Sequence, residues 1–186
     1  HGATPETPKE FYVDFGDGNL QTFTATTDTI PVTANVNGKK KSYGNVSILV
    51  PDGTMLSALE SRLQIYDIDI TAARSLQYLS LPGAGLYSID LQWNRLLKSL
   101  NLSGNNLTTL SLSGKNSLYN KNMLADINVS NNRLTAIEMP DNRVMHRLDI
   151  SNNLFEELSL KDASNLEELN ISHNSIAEIN LAYLSL

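Results

Sequence analysis

Apolar residues recur in this chain at a fixed spacing. The segment "LKSLNLSGNNL" (97–107) returns as "LADINVSNNRL" (124–134), "MHRLDISNNLF" (145–155) and "LEELNISHNSI" (166–176), and a weaker copy, "LQYLSLPGAGL" (76–86), precedes them. All five follow LxxLxLxxNxL, except that Ala84 stands where the others carry Asn105, Asn132, Asn153 and Asn174. The copies start 21, 27, 21 and 21 residues apart. Each runs into a second half of the same kind ("LYSIDL", "LTTLSL", "LTAIEM", "FEELSL", "IAEINL"), and an orphan half, "IYDIDI" (65–70), comes first. Within each half the apolar residues alternate, which is the period of an extended strand and not of a helix. One coil cannot bury its Leu and Ile row alone, whereas stacked coils build a continuous core in which each touches its neighbours. The template Asn has a structural reason too: its amide satisfies backbone groups at the corner where the chain leaves the strand, so Asn105, Asn132, Asn153 and Asn174 are expected to stack as a ladder.

The pattern resembles the leucine-rich-repeat family, in particular the short repeats of secreted and surface proteins from Bacteroides-type bacteria, and it runs from Ile65 to Leu186. The resemblance implies a mostly β fold: a curved solenoid of 21-residue coils, with a parallel sheet of short strands on the concave side and extended convex arms. It also implies an extracellular or outer-cell-surface location, although no signal peptide or lipid anchor is visible in the chain.

Ahead of the repeats, "FYVDF" (11–15), "LQTFTAT" (20–26), "IPVTANV" (30–36) and "YGNVSILV" (43–50) alternate or are β-branched, and Asn37-Gly38 is a favoured hairpin pair leading into "KKKSY". A small antiparallel β domain is therefore expected over 11–51, after a polar, proline-bearing tether over 1–10. "DFGDGN" (14–19) raises three chemical readings. A kinase metal triplet lacks its catalytic-loop partners, and a phosphate loop lacks a following helix opened by Lys-Ser or Lys-Thr. A calcium loop counted from Asp14 would need Gly at its sixth position and Glu at its twelfth, where Asn19 and Ala25 stand. The segment reads instead as a hairpin turn in which Gly16 and Gly18 supply positive φ, and "VDFGDG" resembles the turn of PKD-like β modules. In "DGTMLSALESRLQ", residues Met55, Leu56, Leu59 and Leu63 share one helical face behind an N-cap at Asp52 or Thr54, so a short capping helix is expected over 52–64, with a degenerate repeat as the alternative.

On the strand LxxLxL the outward residues form rows. The third template position gives Tyr78, Ser99, Asp126, Arg147 and Glu168, which differ from coil to coil and are the expected contact surface for a partner. The fifth (Ser80, Asn101, Asn128, Asp149, Asn170) and the seventh (Pro82, Ser103, Ser130, Ser151, Ser172) are nearly constant, as structural ladders are. The second coil carries an insertion, "SGKNSLYNKNM" (113–123), where other coils use five residues; solenoids accept insertions outward at loops, so Lys115, Tyr119 and Lys121 are a second candidate contact.

Composition narrows the function. The 186 residues contain no cysteine and three histidines, His1, His146 and His173, and the formal net charge is −6. Thiolate zinc sites and cysteine nucleophiles are excluded. The acidic balance argues against a nucleic-acid partner. No run approaches the ~20 apolar residues of a membrane helix, so no membrane insertion by this segment is expected. No nucleophile, base and orienting acid can be assembled, and the pairs Glu156-Glu157 and Glu167-Glu168 point to opposite faces of an extended chain. The expectation is a non-enzymatic module without cofactor or metal, binding a protein or a glycan, or else a spacer of a larger surface protein. The apolar ending "LAYLSL" adds the expectation of a continuing chain or of a covering partner, such as an end-to-end homodimer through the last coil.

Overall fold

The computed structural model describes residues 9–14, 19–25, 47–49, 56–62, 64–65, 67–112, 123–139, 144–161, 163–182 and 184. It divides into two units, His1–Met55 and Leu56–Leu186. In the first, β1 (Lys9–Asp14) is the centre of a three-stranded antiparallel sheet, flanked by β2 (Leu20–Ala25) and β3 (Ser47–Leu49). The ladder runs from Lys9 opposite Ala25 to Asp14 opposite Leu20, so the strand reaches two residues into the stretch expected to be a tether. Phe11 faces Phe23 across it with ring centroids 5.4 Å apart, a cross-strand aromatic pair of the kind that stabilises a small sheet. The expected turn residues 15–18, the strand over 30–36 and the Asn37-Gly38 hairpin lie outside the described residues.

The second unit is a β-solenoid. Its six-stranded parallel sheet is built from β4 (Ala58–Glu60), β5 (Tyr78–Ser80), β6 (Ser99–Asn101), β8 (Asp126–Asn128), β10 (Arg147–Asp149) and β11 (Glu168–Asn170), in chain order across the sheet. On the other arm β7 (Leu110–Ser111) pairs in parallel with β9 (Ile137–Glu138). Among the described residues no segment is helical. The six extra residues of the second coil leave the sheet register untouched, with Ser99 opposite Asp126 as Tyr78 is opposite Ser99. The template apolars line a single core: Leu97, Leu100, Leu102 and Leu107 of one coil are buried against Leu124, Ile127, Val129 and Leu134 of the next. Each such side chain contributes about 1.5–3 kcal/mol on burial, and together they offset the ordering of very short strands.

One expectation is corrected. The segment expected to be a capping helix contains strand β4, in register with β5 from Ala58–Tyr78 to Glu60–Ser80. The Ser61 N–H donates to the Ser80 carbonyl at 2.9 Å and that of Ile65 to the Ala84 carbonyl at 2.8 Å, so Leu56 opens a degenerate first coil. The spacing Leu56-x-x-Leu59 is common to a helical face and to this repeat, and a strand here pairs the edge of β5 that a helix would leave without a ladder.

Two local devices turn the coils, the first in the four copies from Leu97 onward and the second in all five. Position five accepts from position seven: Oδ1 of Asn101 takes the Ser103 N–H at 3.1 Å and its Oγ–H at 2.8 Å, and Asn128–Ser130, Asp149–Ser151 and Asn170–Ser172 repeat the turn. Position eight is left-handed in all five template copies: Gly83, Gly104, Asn131, Asn152 and His173 have φ of 64°, 69°, 56°, 53° and 56°. Gly and Asn adopt this conformation cheaply, and His173 bears the strain of a larger side chain.

Candidate functional site

Behind these turns the template asparagines close the corner between coils. Nδ2 of Asn132 donates to the Leu102 carbonyl of the preceding coil at 2.9 Å and to Val129 of its own at 3.0 Å, while Oδ1 accepts the Leu107 N–H at 3.0 Å. Asn105 does the same with Leu81, Leu102 and Leu86, Asn153 with Val129, Ile150 and Leu134, and Asn174 with Ile150, Ile171 and Phe155. Asn94, which sequence reading did not single out, plays a related part on the second half of its coil. It is fully buried and its Nδ2 reaches the carbonyls of Ile70 at 3.0 Å and Ala73 at 2.8 Å. Its place three residues after Leu91 in "LYSIDLQWN" repeats the place of Asn105 after Leu102, and this was the signal available.

The outward sheet face carries the variable row. Tyr78, Ser99, Asp126, Arg147 and Glu168 stand opposite one another in consecutive strands. Tyr78 is half exposed. At the other end Arg147 bridges two neighbours, with Nε 3.0 Å from Glu168 Oε1 and Nη1 3.7 Å from Asp126 Oδ1. The hydrogen bond to Glu168, then the charges of Glu168 and Asp126, push the guanidinium pKa above its ordinary value, so the group stays cationic. These residues, with Asn101, Asn128, Asp149 and Asn170 beside them, line a shallow open trough of about 510 Å³ across four coils. Tyr78 is not among its lining residues. Among the described residues no three His, Asp or Glu converge as metal ligands.

The other candidates fall elsewhere. Lys115, Tyr119 and Lys121 lie outside the described residues. His146 Nδ1 is 3.3 Å from Glu167 Oε1, without hydrogen-bond geometry, at the flank of the sheet and away from the trough. Sequence reading also missed that Trp93 gathers two guanidinium groups, Arg74 at 5.1 Å and Arg95 at 5.6 Å from the ring centroid, because residues 19 apart meet only once the coils stack.

A family model described as Leucine Rich Repeat matches residues 96–118 and 165–185. Among solved structures, the functional domain of InlJ from Listeria monocytogenes, described as including a cysteine ladder, matches with 24% identity and a TM-score of 0.49. The match covers 70% of this chain and 33% of that one, so this chain spans about a third of that structure's length. No curated protein matches the chain. Residues 96–118 and 165–185 thus match leucine-rich repeats, and the coils of the second unit stack as a β-solenoid.

Proposed function

We propose that the chain is a non-enzymatic binding module of a secreted or cell-surface bacterial protein, and that the outward sheet face takes a protein partner. One observation carries this reading. In coil after coil the fifth, seventh and ninth side chains are engaged in hydrogen bonds that build the solenoid, whereas Asp126, Arg147 and Glu168 at the third position contact one another and face outward. Positions released from structure are the ones a protein is free to use for recognition. The matched leucine-rich repeats support a binding role, and the preformed cation between two anions suits a protein surface with complementary charges. The insertion, through Lys115, Tyr119 and Lys121, is the proposed secondary contact.

Protein and glycan arrays probed with the wild type and with the combined variant Asp126→Ser, Arg147→Ser, Glu168→Ser test this. A protein captured by the wild type and lost by the variant supports the sheet face. Retention by the variant, with loss on shortening 113–123 to five residues, would move the site to the loop. A glycan hit, or no ligand on either array, would overturn the reading; the latter outcome favours a spacer.

A further inference from the structure

One flank of the sheet carries a pattern that the outward face does not use. The residue before each template start is exposed and apolar in three consecutive coils: Leu96 (43%), Met123 (44%) and Val144 (41%). The template start itself, Leu97, Leu124 or Met145, is buried, and the residue after it is again at the surface, giving a second row of Lys98, Ala125, His146 and Glu167. The flank is thus an apolar seam beside a row that runs from cationic to anionic. By sequence the coils are polarised in the same sense. The coil 97–123 contains three Lys and no Arg, Asp or Glu, and the coil 166–186 contains three Glu and no Lys or Arg. Among the described residues Lys98 has no ion-pair partner.

We propose that this flank is a self-association surface: two copies pair edge to edge with their solenoid axes antiparallel, about a two-fold axis between the coils that begin at Leu124 and Met145. That axis sets Met123 of one copy against Val144 of the other and Ala125 against His146. It also sets Lys98 against Glu167, twice. A two-fold interface must be self-complementary, and a seam with opposite charges equally spaced on either side of the axis is so. Apolar contact at the centre with paired charges at the rim is the usual anatomy of a protein interface. Charge complementarity between the two ends selects a second copy as the occupant.

Sedimentation equilibrium of the full chain, at low and at raised salt, tests the proposal, with circular dichroism to verify the fold of each variant. A dimer that weakens as salt rises is expected. Lys98→Glu alone and Glu167→Lys alone should each raise the dimer dissociation constant at least tenfold, and the double variant should restore it, because the exchanged charges meet again across the axis. Met123→Lys should dissociate the dimer and Leu181→Ser, on the last coil, should not. A monomer at every concentration would overturn the proposal. So would a dimer indifferent to the single charge reversals, reversals that the double variant does not rescue, or a dimer lost with Leu181→Ser but kept with Met123→Lys.

Discussion

Asn132 holds Leu107 from the next coil: its Oδ1 accepts the Leu107 N–H at 3.0 Å while its Nδ2 donates to the Leu102 carbonyl at 2.9 Å, so one side chain caps both ends of the corner between residues 102 and 107. Asn132 is buried, and no solvent replaces the amide if it is removed. Asn132→Ala leaves the buried Leu107 N–H without its acceptor, at about 1–3 kcal/mol, and takes one of two amide donors from the Leu102 and Val129 carbonyls, which keep Asn105 and Asn153. Urea unfolding should therefore show a loss of about 1–3 kcal/mol; a loss under about 1 kcal/mol would mean that the corner is held by something else.

His173 tests the left-handed turn. It occupies the place of Gly83, Gly104, Asn131 and Asn152 at φ 56°. His173→Gly and His173→Asn should unfold at the same denaturant concentration as the wild type or higher. His173→Val should lose about 1–2 kcal/mol, since a β-branched residue tolerates this conformation worst.

How far the sequence was legible depends on which interactions are local. The rows Tyr78 to Glu168 and Ser80 to Asn170 follow from counting along the template, because a parallel stack in register converts equal spacing into adjacency. The places of Asn132 and Asn153 follow in the same way. Position eight was readable too, as a column of Gly and Asn ended by His173, but only once the column is treated as a backbone requirement. The first coil was not readable from Leu56 and Leu59, whose three-residue spacing fits two structures, and the neighbour that decides between them, β5, lies 20 residues away in the chain. Nor was the Arg74–Trp93–Arg95 cluster, which has no repeat to announce it.

The strand at Ala58 gives a direct check on that correction. Ala is among the best helix formers and Val among the better strand formers, so Ala58→Val pulls the two structures in opposite directions. Ala58 is exposed and opposite Tyr78, and Val there adds a cross-strand contact. An unchanged or raised thermal midpoint is expected. A lowered midpoint accompanied by lost signal at the helical minimum in circular dichroism would restore the capping helix.

Acid sensitivity should be traceable to Asp69. Its carboxylate accepts the Thr71 hydroxyl at 2.7 Å and the Thr71 N–H at 2.9 Å, and these bonds, the hydroxyl first, lower its pKa below the ordinary carboxylate value. A depressed folded pKa stabilises the fold above the unfolded value, about pH 4, and that stabilisation is lost as pH falls through the folded value. Asp69→Asn keeps an acceptor for Thr71 without the titration. The stability difference between wild type and Asp69→Asn should be constant from neutral pH down to about 4 and shrink below it; a difference independent of pH down to acid unfolding would contradict the assignment.

Arg147 separates recognition from stability. Its pairs with Glu168 and Asp126 are exposed, and exposed ion pairs gain little because water and salt screen them. The raised guanidinium pKa means that the pairing contributes below the unfolded value and is lost only as pH rises through the folded one, far into the alkaline range, so it is constant across neutral pH. Arg147→Ser should therefore leave the thermal midpoint unchanged within error from pH 5 to 9. It should also leave Asp126 and Glu168 without their shared cation. A protein captured on the outward face should lose affinity for this variant and regain part of it with Arg147→Lys, which restores the charge but not the fork that reaches two carboxylates at once. A variant that melts early would show that the row serves the fold, and the case for recognition at Arg147 would then fail with it.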